Sequence, residues 1–149
     1  MIINLLYGCQ QVKEDNPPSS QVENIKQKDK DETMNIIINE LTYHVKLYNN
    51  TTVAEFIKLL PITLQMKDLH GNEKYKYLDQ RLPVHTESVQ QIKTGDLMLF
   101  QDNCLVLFYK DFQTSYSYTK IGYIENVASL SDQLGKDSIA VRFQKEENK

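Results

Sequence analysis

The sequence predicts an all-β fold, a small closed barrel capped by two short helices. The clearest evidence is a pair of dense apolar runs that flank the turn dipeptide Asp102-Asn103, a pattern typical of a tight hairpin. With a two-residue turn, Leu99 would face Val106 on one side of the hairpin, and Phe100 would face Leu105 on the other. Both sides are then apolar, whereas a sheet with one wet face alternates apolar and polar residues. The hairpin should therefore be covered on both sides, as in a closed barrel capped by a helix.

Further short strands are predicted along the domain, with no internal repeat. Their patterns place them, besides the hairpin above, at residues 34–39, 41–47, 62–69 and 75–77, within 115–126 and at 138–144. Gly122 lies inside one of these strands, where a glycine favours a bulge or the close approach of another chain segment. Many short strands in one domain are typical of a barrel.

Two short helices are predicted between the strands. Thr52 and Glu55 form a capping-box pattern at the start of the first helix, and Pro61 ends it. Residues 129–134 form a second, shorter helical segment that Gly135 closes.

Composition excludes several classes of protein. A net charge of −3 and the lack of a basic stripe argue against a nucleic-acid-binding surface, so nucleic acid is not an expected partner. No apolar run reaches the length of about 18 residues that a membrane-spanning helix needs.

Of the two cysteines, Cys104 lies in a dense apolar run and is expected to be a buried, inert thiol. A disulfide with Cys9 is not expected, because Cys9 lies in a separate segment.

The first nine residues predict a lipid anchor. Residues 6–9, Leu-Tyr-Gly-Cys, resemble the lipobox of bacterial lipoproteins, in which a small residue precedes a lipidated cysteine. A complete signal peptide also has a basic start and a longer apolar core, which residues 1–9 lack. We therefore interpret residues 1–9 as the remnant of a lipoprotein signal peptide and Cys9 as the lipidation site. The alternative is an apolar start without that role.

The next segment, residues 10–33, predicts a disordered tether. It has no aromatic residue, two adjacent prolines and many charges, so it cannot bury enough apolar surface to fold. Folded patterning begins at Met34 and gives a domain at residues 34–144. With Cys9 lipidated, this domain would lie in the cell envelope, anchored to a membrane outside the cytoplasm; without lipidation it would be cytoplasmic.

The order of several short motifs carries a family resemblance. The motifs are TTVAEF (51–56), LP (60–61), GNEKY (71–75), LP (82–83), GDL (95–97), LFY (107–109) and IG (121–122). As an ordered set, over about residues 34–143, they resemble the small bacterial and archaeal cyclophilin-like proteins. The resemblance implies the closed eight-stranded barrel of cyclophilins. It implies the fold more firmly than a function, because many members of that family have no established activity.

The resemblance does not bring catalytic residues with it. Cyclophilins are peptidyl-prolyl isomerases, and that reaction needs an apolar slot for proline and a cation or hydrogen-bond donor that favours the twisted amide. In active cyclophilins, Phe-His-Arg and Gln-Gly-Gly-Asp-Phe motifs serve this purpose, and this sequence has neither. Its two arginines, Arg81 and Arg142, are expected at the surface. No catalytic residue is assigned.

Other chemistry has no clear motif either. His44, His70 and His85 lack the spacing of metal ligands, so no metal site is predicted, and no cofactor-binding motif is present. A small-molecule or sugar enzyme that uses Glu73 or Asp96 stays open as a separate hypothesis.

A group of mostly aromatic residues is the candidate ligand site. In the resembled fold, the segments that carry these residues flank an open face of the barrel. Aromatic side chains with polar tips suit a peptide or a small molecule. The residues of this predicted groove are Glu73, Tyr75, Tyr77, Phe108, Tyr116 and Tyr118.

The sequence therefore predicts a membrane-tethered, cyclophilin-like binding domain without strong isomerase activity, whose ligand is a peptide or a small molecule. The alternative is a peptidyl-prolyl isomerase with a divergent active site. The oligomeric state is not predicted.

Overall fold

The computed structural model describes residues 32–135 and 137–147 of the 149-residue chain. The predicted lipidation site Cys9 and the predicted tether up to residue 31 lie outside the described residues. The described part contains the following strands and helices: β1 Thr33–Ile38, β2 Leu41–Leu47, α1 Thr51–Ile57, β3 Ile62–Leu69, β4 Glu73–Tyr77, β5 Glu87–Ser88, β6 Gln91–Ile92, β7 Asp96–Phe100, β8 Cys104–Phe108, β9 Phe112–Gln113, β10 Ser117–Ile124, α2 Leu130–Leu134 and β11 Ile139–Lys145.

Eight strands form the closed barrel. They follow the order β2, β1, β11, β3, β4, β8, β7, β10, and β10 pairs back onto β2, so the main sheet closes on itself. Every pair of neighbours is antiparallel. This arrangement confirms the predicted closed eight-stranded barrel. Strand β5 extends one edge of β10, and β6 pairs with β9 in a separate two-stranded ribbon.

The closure of the barrel depends on Gly122. The register of β10 against β7 shifts between Lys120 and Gly122, which is the predicted bulge. A Cβ atom at Gly122 would lie 2.4 Å from the carbonyl oxygen of Lys46 on β2. Any larger residue would push β2 away from β10 at the seam of the barrel.

Apolar side chains of seven barrel strands fill the interior, β4 contributes Lys74 instead, and both helices cap the core. Helix α1 contributes Val53 and Phe56, and α2 contributes Leu130 and Leu134. The Phe56 ring meets the Phe143 ring of β11 edge to face, with centroids 5.9 Å apart. The two capping helices are thus confirmed. No helix in residues 32–135 or 137–147 is both long and apolar enough to cross a membrane.

The β7–β8 hairpin is apolar on both faces, as predicted, but its predicted register is wrong by one residue. Phe100 pairs with Cys104 and Leu99 pairs with Leu105, so the turn contains three residues rather than two. The first residue of that turn, Gln101, has a left-handed φ of 54°, which a glutamine rarely adopts. The sequence therefore offered no signal for the longer turn.

The outer face of this hairpin is covered by strands rather than by a helix. Met98, Val106 and Phe108 pack there in a second apolar cluster, which also includes Ile92 of β6 and Tyr118 of β10. Both helices pack on the interior core instead. The short β6–β9 ribbon was not predicted from the sequence. It supplies part of the packing over the outer face of the hairpin.

The start of α1 also differs from the prediction. The predicted capping box placed the N-cap at Thr52, but the helix begins at Thr51 and Asn50 caps it. The Asn50 side chain accepts a hydrogen bond from the Val53 N–H at 2.8 Å. Thr52 is instead buried, and its hydroxyl donates to the Pro83 carbonyl oxygen.

A buried ion pair lies inside the barrel. Lys74 of β4 is 0% exposed, and its Nζ atom donates to Asp68 Oδ1 at 3.0 Å and to the Asp137 carbonyl oxygen at 2.6 Å. The Tyr109 hydroxyl and the Gly71 N–H also donate to the Asp68 carboxylate. The Lys74 ammonium group and the Asp68 carboxylate therefore bind each other, and three further groups complete their hydrogen bonds.

Asp68 is more acidic than an ordinary aspartate for this reason. Burial is the largest single influence and opposes ionisation, but the hydrogen bonds from Tyr109, Lys74 and Gly71 together outweigh it, so the pKa of Asp68 is lowered. The same carboxylate and burial raise the pKa of Tyr109. Both groups thus keep the protonation states that the network needs at neutral pH.

We expect Lys74→Met to reduce the free energy of unfolding by about 1.5–3 kcal/mol, because it removes a charged hydrogen-bond donor from the partly buried Asp68 carboxylate. Lys76→Met is the matched control, since Lys76 lies on the same strand but is exposed. Urea unfolding of both variants measures the effect. Equal stability of the two variants would show that the buried pair contributes little.

The same network predicts the acid dependence of stability. Because the pKa of Asp68 is lowered on folding, its contribution is complete above the usual aspartate pKa of about 3.9 and is lost as the pH falls through the lower folded value. Lys74→Met should weaken this dependence, since one pKa-lowering partner is gone. An unchanged slope of stability against pH in that acidic window would contradict the assignment.

Candidate functional site

A groove of about 380 Å³ lies on the outer face of the barrel, over the middle of strand β8. Its floor is formed by Cys104 and Val106, which are small and point outward from β8. The neighbouring strands carry larger residues at the paired positions, Tyr77 and Tyr75 on β4 and Phe100 on β7. The groove therefore arises because small residues on one strand lie between aromatic residues on the two strands beside it.

Strand β4 forms the first wall. Glu73, Tyr75 and Tyr77 occupy alternate positions of β4, so all three side chains point to the groove side. The rings of Tyr75 and Tyr77 meet nearly at right angles, with centroids 6.1 Å apart. Tyr77 is 54% exposed, which leaves an aromatic surface open to a ligand. Glu73 pairs with Leu69 of β3 and marks one end of this wall.

The second wall is a chain of aromatic rings from β7, β10 and the residue just before β10. The Phe100 ring lies 5.9 Å from that of Tyr116 and 5.6 Å from that of Tyr118, measured between centroids. Behind this wall, the Phe108 ring meets Tyr118 edge to face at 5.5 Å and then contacts Phe112 at 5.7 Å. Tyr118 is therefore held between neighbours on both sides, which makes this wall rigid.

The structure brings five of the six predicted groove residues together around one cavity. Phe108 is the sixth; it is fully buried and supports Tyr118 from behind rather than lining the groove. The lining residues are Leu69, Glu73, Tyr75, Tyr77, Phe100, Cys104, Val106, Tyr116 and Tyr118. The prediction missed four of them, chiefly because the one-residue register error placed Phe100 on the opposite side of the hairpin from Cys104.

Glu73 is the one charged side chain among the described residues that line the groove. No described residue donates a hydrogen bond to its carboxylate or forms an ion pair with it. Burial raises the pKa of Glu73, and the Asp68 carboxylate adds to this, while the nearby His70 acts in the opposite direction. Glu73 therefore bears the cost of partial desolvation without a partner.

The charge of Glu73 affects the pKa values of residues across the groove. Burial first, and then the Glu73 carboxylate, raise the pKa of Cys104 to about 11 and that of Tyr118 to about 12. The Cys104 thiol is free and buried, and with this pKa it is protonated and unreactive at neutral pH, as the sequence predicted. The groove thus has a negative potential and contains no activated nucleophile among its described residues.

Neither arginine lies at the groove. Arg81 is 84% exposed at the side chain, and its Nη1 atom lies 3.6 Å from Asp102 Oδ2. Arg142 is exposed on β11, where its Nε atom donates to Gln144. Both arginines are therefore at the surface, as predicted, and neither faces the aromatic walls.

The remaining candidate residues lie apart from the groove. Asp96 accepts a hydrogen bond from the Lys93 N–H, and burial raises its pKa, but it does not line the cavity. His44 contacts Asn35, and His85 contacts the Thr51 hydroxyl. Within residues 32–135 and 137–147, no three histidine, cysteine or acidic side chains gather closely enough to hold a metal ion.

Solved structures similar to this chain include the following two. The solution structure of the hypothetical protein AF2241 from Archaeoglobus fulgidus is 19% identical, with a TM-score of 0.59 over 78% of this chain and 95% of that one. The structure of McbB in complex with tryptophan is 17% identical, with a TM-score of 0.62 over 78% of this chain. The match covers 45% of the McbB chain, so this protein spans less than half of McbB. At these identities the likeness concerns the fold alone.

Sequence comparison gives the family directly. No curated protein sequence matches this chain. The model of the Cyclophilin-like family matches residues 36–144, which include the barrel strands from β1 to β11 and both helices. The eight-stranded closed barrel agrees with that match. This chain therefore belongs to the cyclophilin-like family.

Proposed function

We propose that this domain binds a small organic molecule or a short peptide in the aromatic groove and lacks strong peptidyl-prolyl isomerase activity. The groove itself carries the proposal. Its volume of about 380 Å³ falls at the small end of the range usual for ligand pockets, about 300–1,000 Å³. Its lining, aromatic and aliphatic with a single charge, is also typical of such pockets.

The rigidity of the second wall supports this function. Tyr118 and Phe100 hold each other through ring contacts, and Phe108 supports Tyr118 from behind. A ligand would therefore find this wall already formed, which lowers the entropy cost of binding. A protein of similar fold has been solved in complex with tryptophan, which makes small aromatic molecules a sensible first class of probe.

The charges around the groove argue against catalysis of proline isomerisation. An aromatic slot can hold proline, but acceleration requires stronger binding of the twisted amide than of either planar isomer. The described lining contains no cation that could provide this preference, because Arg81 and Arg142 both lie elsewhere. The one charge in the groove, Glu73, has the opposite sign.

A binding experiment tests the groove with 4-phenylbutanol, a neutral molecule with an aromatic end. We expect the full chain to show shifts of the Cys104 and Val106 amide signals in NMR spectra on titration. Tyr75→Ala should weaken this binding, because it removes half of an aromatic wall. Tyr123→Ala is the matched control, since Tyr123 is an exposed tyrosine outside the groove. Unchanged spectra at Cys104 and Val106, or equal affinity in both variants, would refute the groove as the binding site.

An isomerase assay tests the second half of the proposal. The purified protein should not accelerate cis–trans exchange in a proline tetrapeptide above the uncatalysed rate, because no cation faces the groove. A cyclophilin that carries the Phe-His-Arg motif serves as the positive control. Strong activity that disappears in Arg81→Ala would contradict this expectation and favour a divergent isomerase.

We also propose that Cys9 anchors the domain to a membrane in the cell envelope. This rests on the lipobox-like residues 6–9 and on the polar composition of the segment that follows. Strand β1 already begins at Thr33, so the proposed tether is shorter than predicted. Its 22 residues at positions 10–31, as a flexible coil, would have a mean end-to-end distance of about 23–28 Å. The groove would then lie near a membrane surface yet clear of it.

Fractionation of cells tests the anchor. The natural reading frame should place the protein in the membrane fraction and incorporate labelled palmitate, whereas Cys9→Ser should be released and unlabelled. Cys104→Ser is the matched control, because Cys104 is buried in the folded domain, on the outer face of β8, and is not part of the lipobox-like segment. Identical fractionation of the wild type and Cys9→Ser would refute the anchor and leave the cytoplasmic alternative.

A further inference from the structure

Two features of the aromatic groove restrict the class of ligand beyond shape, and the inference from them rests on the proposed binding function. The first feature is Glu73, whose carboxylate lines the groove without a hydrogen-bond donor or an ion-pair partner among the described residues. The second is the set of tyrosine and phenylalanine rings that form both walls. Carboxylates and the faces of aromatic rings both attract cations.

The position of Glu73 defines where a cation would lie. On β4, Glu73, Tyr75 and Tyr77 all face the groove, and two residues of a strand span about 6.6 Å, so the wall from Glu73 to Tyr77 is about 13 Å long. The carboxylate stands at the Leu69 end of this wall, and the exposed Tyr77 ring stands at the other. A molecule with one polar end and one apolar end would match this arrangement.

We propose that the ligand is an amphipathic organic cation, a protonated amine joined to an aromatic or aliphatic body, with its ammonium group at Glu73. The ammonium group supplies the partner that the partly buried carboxylate lacks. The apolar body lies on Cys104 and Val106 between the aromatic walls. Anionic ligands are excluded by the same charge, since no described residue that lines the groove carries a positive charge.

The electrostatics of the groove support this choice. Glu73 is half-buried, so its carboxylate is less well solvated than that of an ordinary glutamate, and this raises its pKa. Its negative charge extends over the floor and the far wall, where it contributes to the raised pKa values of Cys104 and Tyr118. His70 is the nearby base that acts on Glu73, but it does not line the groove. A ligand cation would therefore meet a negative potential throughout the cavity.

Three probes that share one carbon skeleton test the proposal. They are 4-phenylbutylamine, 4-phenylbutanol and 4-phenylbutyrate, which are cationic, neutral and anionic at about pH 7. NMR titration of the full chain, followed at Cys104 and Val106, should give about tenfold tighter binding of the amine than of the alcohol. The butyrate should bind more weakly than the alcohol, because its carboxylate would lie against Glu73.

Two variants of Glu73 assign the preference to this residue. In Glu73→Gln, the amine and the alcohol should bind with similar affinity, while Glu73→Asp should retain part of the preference for the amine. Glu55→Gln is the matched control, because Glu55 lies on α1 and pairs with Lys58 away from the groove. Should Glu73→Gln fail to fold, Glu73→Asp and the order of the three probes on the wild type still decide the question.

The outcomes separate this inference from the proposed function. Equal affinity of the amine and the alcohol, with no effect of Glu73→Gln, would overturn the preference for a cation and leave the groove as a binding site for neutral molecules. Tighter binding of the butyrate would overturn it as well. If none of the three probes shifts the Cys104 and Val106 signals, the proposed function fails and this inference fails with it.

Discussion

The burial of strand β8 on both of its faces is the constraint on which the barrel and the groove both depend. Leu105 and Leu107 point into the barrel core, while Cys104, Val106 and Phe108 point outward, and all five are buried. Because both faces of β8 are buried, its three outward-pointing side chains need other residues to pack over them. The β6–β9 ribbon provides this packing beside Phe108, and the aromatic walls provide it over the smaller pair, where they leave a cavity.

Adjacent residues of the neighbouring strand β4 place two charged side chains on opposite faces of the sheet, in different environments. Lys74 points into the barrel and is paired with Asp68, whereas the adjacent Glu73 points outward and has no partner among the described residues. Hydrogen bonds therefore lower the pKa of Asp68 against the effect of burial, while burial raises that of Glu73. A satisfied interior pair stabilises the fold. An unsatisfied carboxylate at the surface of the same strand is better suited to a ligand.

The sequence predicted what depends on local patterns and missed what depends on distant partners. The pairing strands β1 and β2 and the bulge at Gly122 follow from alternation and from glycine chemistry over a few positions. The groove residues were predicted from the family resemblance, and five of the six line the cavity. The three-residue turn could not be predicted, because a glutamine at position 101 does not indicate a left-handed backbone. That single residue reversed the predicted relation of Phe100 to Cys104. The distant contacts of two local features could not be read either, since Asn50 also donates to the Lys120 carbonyl oxygen and the Lys74–Asp68 pair also binds Tyr109 and Asp137.

The sign of the charge in the groove connects the expected lack of isomerase activity with the expected choice of ligand. Proline isomerisation is favoured by a positive group beside the amide, which stabilises a transition state that differs from both planar isomers. This groove offers a carboxylate in place of that group, and its aromatic rings add to the negative potential. A cationic ligand gains from both features while it is bound in its ground state. The two proposals, the lack of strong isomerase activity and the recognition of an amine, therefore rest on the same negatively charged lining.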